Sequence, residues 1–191
     1  MNWPLFTGRA VAPGRLREDR AAEIAEAAVI LPALFMLLFA IYWFGRAYMI
    51  YGAINHAARE GARTAAVPAC ANCFGSCTWP GTALPCDTTV VQAVNNSLLA
   101  ANLDPSRAIP STPTPTPQPC PDVVPEGICS QASGGQFTIC RNMLLNQGRS
   151  SPPVCGVIVS FQYPYQLVLP FTSLNNQRIQ LKAQVEMRGE D

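Results

Sequence analysis

One uncharged apolar run constrains this chain more than any other feature of its sequence. Residues 27–45, AAVILPALFMLLFAIYWFG, contain no charged side chain. As a helix at about 1.5 Å per residue the run spans roughly 28 Å, close to the ~30 Å hydrocarbon core of a bilayer. Tyr42 and Trp43 stand at its far end, where aromatic side chains favour the headgroup boundary. A cleaved secretory signal is the alternative, but its apolar region is shorter, about 7–15 residues, so we predict a retained single-pass anchor.

The cysteines indicate which side of the membrane the rest of the chain faces. An even, high cysteine count favours a disulfide framework in an oxidising compartment. All eight follow the apolar run, and four arginines precede it, so we expect a cytoplasmic amino terminus and an extracytoplasmic carboxy-terminal part. Their pairing stays open, because eight cysteines allow 105 arrangements. The disulfide candidates are Cys70, Cys73, Cys77, Cys86, Cys120, Cys129, Cys140 and Cys155.

Other chemistries find little support in the sequence. The first four cysteines, at short spacings, also match a tetrahedral zinc site, but the compartment and the four further cysteines favour disulfides. His56 is the one histidine, and it lies in a predicted helix with no nucleophile motif beside it. A net charge of +1 with 13% charged residues excludes the large positive surface potential that nucleic-acid binding needs. We expect no enzyme, no cofactor and no resident metal.

The helix is predicted to continue well beyond the membrane. Residues 46–67 keep apolar side chains at i, i+3, i+4 spacing, and Pro68 supplies a stop. We therefore assign residues 1–21 to a cytoplasmic leader and 22–67 to one long helix, with the span at 27–45 and an extracytoplasmic half at 46–67. Pro32 lies inside the span and should bend the helix or leave a carbonyl group without its helical partner.

The rest of the chain divides into two regions. Residues 68–135 are rich in cysteine and proline and contain a short predicted helix near 88–103, capped by Asp87 or Thr88. The segment PSTPTPTPQPCP, residues 110–121, is typical of an extended linker or surface loop with almost nothing to bury.

Residues 136–191 have the alternation of β-strands. The segment QFTICRN is a short candidate strand. The segments GVIVSFQY and IQLKAQVEM alternate side chains between two faces, which is typical of an antiparallel sheet with one covered and one wet face. The natural cover is the outer half of the long helix. We expect an α+β fold, in which a small disulfide-bonded, pilin-like domain with an antiparallel sheet of about three strands follows the membrane-spanning helix.

Two segments resemble a known family. Residues 20–66 carry a glutamate six positions before a proline in an apolar run, then the steps FGRA and AAREGAR; residues 156–191 add YPY, LPF and EMR. Both resemble the TadE-like proteins, membrane-anchored pseudopilins of the tight-adherence (Flp-type) pilus system. The cysteine-rich middle and the Thr-Pro tract are not hallmarks of that family.

The resemblance implies a processing site and an assembly signal. A prepilin peptidase cuts such substrates on the cytoplasmic side, leaving glutamate as the fifth residue of the mature chain. Counting back from Glu26 places the cut between Ala21 and Ala22, where Ala21 stands in place of the usual glycine. Glu26, with Pro32, is then the candidate assembly signal, because a new amino terminus at Ala22 offers a cation to its carboxylate. The alternative is that Glu26 only reaches the cytoplasmic interface.

The sequence therefore favours a pseudopilin that helps to assemble or initiate a pilus or secretion filament by helix packing. The implied location is the bacterial inner membrane, with a periplasmic domain that also reaches the cell surface if the subunit enters a filament. The implied partners are other pilin subunits, the assembly machinery, the prepilin peptidase and the bilayer. The alternative is a plain membrane-anchored adhesive or binding domain that never enters a filament; it would keep its leader and tolerate changes at Glu26.

Overall fold

The architecture combines one long helix with a mixed region that ends in a sheet. A computed structural model describes residues 15–68, 79, 82–121, 123–132, 134–148, 152–166 and 178–189, with the backbone alone described for residues 15–22. The chain forms two compact units, Met1–Gly45 and Arg46–Asp191. The division falls at the residue where the sequence predicts the apolar span to end.

Two helices and six strands make up the described chain. The long helix begins seven residues before the predicted position, because the preceding segment RLREDRA is itself rich in helix-forming residues. A single 3-10 turn, Pro105–Arg107, follows the second helix. The elements are α1 (Arg15–Ala66), α2 (Asp87–Ala100), β1 (Ile109–Pro110), β2 (Gln118–Pro119), β3 (Ile128–Gln131), β4 (Thr138–Leu144), β5 (Cys155–Gln166) and β6 (Arg178–Arg188).

The strands form one antiparallel sheet centred on β5. On one side β5 pairs with β6 along the whole of that strand, and on the other with β4 and then β1. The far side of β4 carries β2 and β3. The expectation of about three strands was wrong. The three long strands lie where alternation predicts them, but β1, β2 and β3 are two to four residues long and too short to show a period.

The core lies between one face of the sheet and the two helices. From α1 it takes a face of small side chains, Ala57, Ala58, Ala62 and Ala65, all fully buried with Ile54. From α2 it takes Val90, Val91, Val94 and Leu98, and from the sheet Val157, Val159, Phe161 and Ala183. Ring contacts add to it, since Phe137 and Phe161 meet edge to face with centroids 5.1 Å apart.

Gly61 shows how closely α1 approaches α2. A Cβ atom at this position would overlap Val94 Cγ2 and lie 3.6 Å from Val159 Cγ1. Only a glycine therefore leaves Val94 its place in the core, and small residues in α1 serve packing within the chain.

The second face of β5 is covered as well, contrary to the expectation of a wet face. Residues 111–117, here called the strap, lie over this face without regular secondary structure and bend at Thr114 and Pro115. Ser160 Oγ donates a hydrogen bond of 2.7 Å to the carbonyl oxygen of Ser111, and Lys182 Nζ donates to the carbonyl of Thr112 at 2.8 Å. Beside the strap a smaller apolar cluster forms from Cys140, Met143 and Ile158.

The Thr-Pro tract is thus partly exposed at the surface, but it is no free linker. Ser111, Pro113 and Cys120 are buried, so the expectation that the tract has almost nothing to bury was wrong. Backbone carbonyl groups hold it to the sheet, and composition does not reveal such contacts.

Candidate functional site

The first described part of α1 exposes large apolar side chains in every direction. Leu34, Phe35, Met36 and Leu37 are consecutive and so point four ways around the helix, yet each is at least 49% exposed. The helix from Glu23 to Ala66 is long and apolar enough to cross a membrane, with a mean hydropathy of 2.5 in its most apolar window. A helix that is apolar on all sides needs either hydrocarbon or neighbouring helices around it.

Glu26 lies at the start of this apolar surface. Its side chain is exposed, and within the described residues it has neither a hydrogen bond nor an ion pair. Glu23, one turn earlier on the same helix, is exposed too. Any partner of the Glu26 carboxylate must therefore come from another molecule or from residues outside the described set, as the sequence prediction requires.

Ala21 and Ala22, the predicted processing site, lie inside α1 with helical backbone. Their side chains are outside the described set, and cleavage between them stays a prediction. Pro32 also lies within α1, which continues through it. Because proline has no N–H group, the carbonyl of Ala28 receives no helical hydrogen bond from that position.

The AAREGAR step has a different role from the apolar run. Its small residues, Ala57, Ala58, Gly61 and Ala62, face the core, while Arg59 and Arg63 are exposed. The AAREGAR step therefore packs this part of α1 against α2 and the sheet. His56 is exposed on the same helix.

Comparison with known proteins agrees with these features. Residues 21–63 match the family described as TadE-like protein. The chain carries a TadE-like segment. The match begins at the predicted processing site, contains Glu26 and Pro32, and ends within the AAREGAR step. No curated protein and no solved structure matches the chain.

The match confirms the family resemblance over this segment and relates the chain to the tight-adherence pilus system. The resemblance of residues 156–191 lies outside the matched range and stays a prediction. The TadE-like segment thus covers the exposed apolar surface together with the small-residue face of α1.

Beyond the TadE-like segment, a buried arginine joins the two helices to the sheet. The guanidinium of Arg141 on β4 donates to the carbonyl of Ala65 near the end of α1 at 3.1 Å and to that of Pro85 at 2.7 Å. It also forms an ion pair of 3.1 Å with Asp87 in the first turn of α2, and it stacks over the Trp79 ring. We call these residues the Arg141 cluster.

The cluster has favourable electrostatics. A cation suits the carboxy-terminal end of α1, and a carboxylate suits the amino-terminal end of α2. Burial lowers the pKa of Arg141, whereas the charge and hydrogen bond of Asp87 raise it. Ser130 Oγ donates to the second oxygen of Asp87 at 2.6 Å, so both carboxylate oxygens have donors. The sequence predicted Asp87 or Thr88 as the cap of α2, and this was wrong. Asp87 lies in the first turn of the helix, and Cys86 is the N-cap residue.

Alternation along β4 directs Arg141 toward the helices, on the face of Ile139, and a β-bulge follows. The pairing of β4 with β5 shifts by one residue between Cys140 and Met143, and Asn142 has a left-handed φ of 53°. The extra residue keeps Cys140 and Met143 on the strap face while Arg141 points toward the helices. Sequence reasoning missed this residue. The signal was a lone arginine in an otherwise apolar predicted strand, because such a charge needs a buried partner.

The described cysteines are all in disulfides. Cys120 pairs with Cys155, which ties the end of the strap region to β5, and Cys129 pairs with Cys140 across β3 and β4. Cys86 is also disulfide-bonded and so offers no thiolate to a metal. Three further candidates, Cys70, Cys73 and Cys77, lie outside the described residues. Among the residues that the structure describes, no three potential metal ligands come together.

Proposed function

We propose that this chain is a membrane-anchored pseudopilin that takes part in assembling or initiating a tight-adherence pilus or a related secretion filament. One observation carries the proposal: the TadE-like segment contains a helix whose apolar side chains are exposed on all sides. Such a surface is stable in hydrocarbon and equally stable inside a bundle of similar helices. The same surface therefore serves first as an anchor and then as the packing surface.

The proposed topology places the amino terminus in the cytoplasm and the unit Arg46–Asp191 outside the inner membrane. The two disulfides with both partners described, and bonded Cys86, all lie in that unit and suit an oxidising compartment. Its sheet, strap and Arg141 cluster give it a rigid core of its own. The proposed activity is packing and not catalysis, and the proposed partners are other pilin subunits and the assembly machinery.

Glu26 is proposed to set the register of assembly. An ionised carboxylate at the centre of a membrane costs about 2.5–3.5 kcal/mol on insertion scales, and less toward the interface. A prepilin peptidase that cuts between Ala21 and Ala22 creates an ammonium group four residues before Glu26. That group, on the same or an adjacent subunit, offsets the cost, and the pairing is best when neighbouring helices are correctly aligned.

The test compares two glutamates on one helix. Glu26→Gln should strongly reduce pilus assembly and co-purification with partner pilins, while Glu23→Gln, an exposed glutamate one turn away, should leave both close to wild type. Membrane levels of each variant, measured by immunoblot, separate loss of assembly from loss of protein. Equal, wild-type behaviour of the two variants would favour a plain anchored binding domain.

A further inference from the structure

Strand β6 lies at the edge of the sheet formed by the described residues. β6 pairs with β5 at each position from Arg178 to Arg188 without a register shift. On its other side, within the described residues, no strand pairs with it. Natural edge strands are usually interrupted by proline, a bulge or a covering loop. The segment RIQLKAQVEMR contains no proline and no bulge, so this edge keeps the geometry that accepts another strand.

A concavity follows this edge. It has a volume of about 340 Å³ and is lined by Tyr51, Asn55, Thr114, Lys182, Gln184 and Glu186. The first two belong to α1, on the core face of the sheet, whereas Thr114 belongs to the strap on the opposite face. Because β6 separates these two faces, the concavity lies at the outer edge of the strand, with walls from α1 and the strap.

The walls are held in place by hydrogen bonds. Thr114 N donates to Gln184 Oε1 at 2.9 Å, and Gln184 Nε2 donates back to the Thr114 carbonyl at 3.1 Å. Lys182 Nζ donates to Thr114 Oγ1 at 2.9 Å. The strap therefore contacts the side chains of β6, and within the described residues no hydrogen bond joins it to the backbone of that strand, so the strap does not occupy the outer edge.

The charges of β6 indicate what kind of strand fits. The strap-facing positions of β6 include three basic residues, Arg178, Lys182 and Arg188, and one acidic residue, Glu186. On the other face Ile179 is 49% exposed. Opposite charges on directly facing residues of neighbouring strands stabilise the pair, and like charges destabilise it. A second copy of β6 carries the same excess of positive charge, so this edge favours an acidic strand over self-pairing.

We propose that the outer edge of β6 binds an extended acidic segment of another protein by β-strand addition. Backbone hydrogen bonds supply the affinity, and carboxylates opposite Arg178 and Lys182 supply the selectivity. The inference does not rest on the proposed function, since it concerns a different surface.

The experiment uses the full-length chain in detergent micelles and a labelled peptide of about nine residues, a usual strand length. The peptide alternates threonine and valine and carries two glutamates at the spacing of Arg178 and Lys182, placed symmetrically so that strand direction does not matter. Fluorescence polarisation should detect binding, and hydrogen exchange should show new protection at β6 amides alone. Alternate N-methylation, which removes the donors that pair with β6, should weaken binding at least about tenfold.

Charge reversal supplies the matched controls. Arg178→Glu should weaken binding of the glutamate peptide roughly three- to tenfold and favour a lysine version of it, while Arg59→Glu, an exposed arginine on α1, should change neither. The inference is overturned by any of three results: no binding up to about 1 mM peptide, equal binding of the N-methylated peptide, or outward β6 amides already protected in the free protein.

Discussion

Gly61→Ala tests the closest contact between the two helices. Alanine is favoured over glycine within a helix by about 1 kcal/mol. The added methyl group would overlap Val94 Cγ2, however, and Val94 is itself fully buried, while Val90 Cγ1 and Val159 Cγ1 would lie in ordinary contact with the methyl group at 3.7 and 3.6 Å. Overpacking of a well-packed core costs about 1–3 kcal/mol. The net expectation is a loss of about 0–2 kcal/mol in the free energy of unfolding.

Gly52→Ala is the matched control. Gly52 lies on the same helix, but an added Cβ atom there would meet nothing within 4 Å. This substitution should stabilise the chain by about 0.5–1 kcal/mol. The two variants should therefore differ by about 1–3 kcal/mol, measured by thermal unfolding of the full-length chain in detergent, at about 2–4 °C per kcal/mol. If Gly61→Ala stabilises as much as Gly52→Ala, the proposed close packing is wrong.

Three further outcomes follow from the structure. Arg141→Met should destabilise the chain by about 1–3 kcal/mol in denaturant unfolding, because the carbonyl groups of Ala65 and Pro85 and the half-buried Asp87 lose their donor; unchanged stability would count against the cluster. Serine replacement of both Cys120 and Cys155 should lower the free energy of unfolding by about 3.8 kcal/mol through loop entropy. The same replacement of Cys129 and Cys140 should lower it by only ~2.8 kcal/mol, because that pair closes a shorter loop. The reverse order in the same assay would contradict this. Hydrogen bonds from Ser106 lower the pKa of Asp104, so its contribution to stability is complete above the pKa of the unfolded chain and is lost as the pH falls through the lower folded pKa. Asp104→Asn should make the free energy of unfolding depend less on pH in the acid range, measured as unfolding curves at a series of pH values. An unchanged pH dependence would exclude this contribution of Asp104.

The long elements could be predicted because each has a period that the sequence displays. The apolar run, the small-residue face of α1 and the alternation of β4, β5 and β6 all reflect burial along one continuous element. The apolar stretch near 88–103 likewise marks α2, which ends at Ala100.

The missed features depend on contacts between distant residues. The strap lies on β5 through its backbone carbonyl groups, and no residue type signals that. Arg141 lies on the same face as Ile139, as alternation implies, but its partners are 54 to 76 residues away in the chain, and no local pattern reveals them. The sequence predicted a sheet with one face exposed to solvent. The strap and the short strands around it instead cover the second face at β5.

The candidate site could be located from sequence but not completed. Glu26 lies where the sequence predicted, at the start of an exposed apolar helix, yet its proposed partner arises only after cleavage or from another subunit. The uncleaved single chain does not contain the ammonium group at Ala22 that is proposed to pair with the Glu26 carboxylate.

The amino-terminal sequence of the protein purified from membranes of a bacterium that carries the cognate peptidase tests the central claim most directly. The account predicts Ala22 as the first residue, which makes Glu26 the fifth residue of the mature chain, and it predicts that Ala21→Gly increases the cleaved fraction. A chain that keeps its leader intact, starting at Met1 or Asn2, would contradict it.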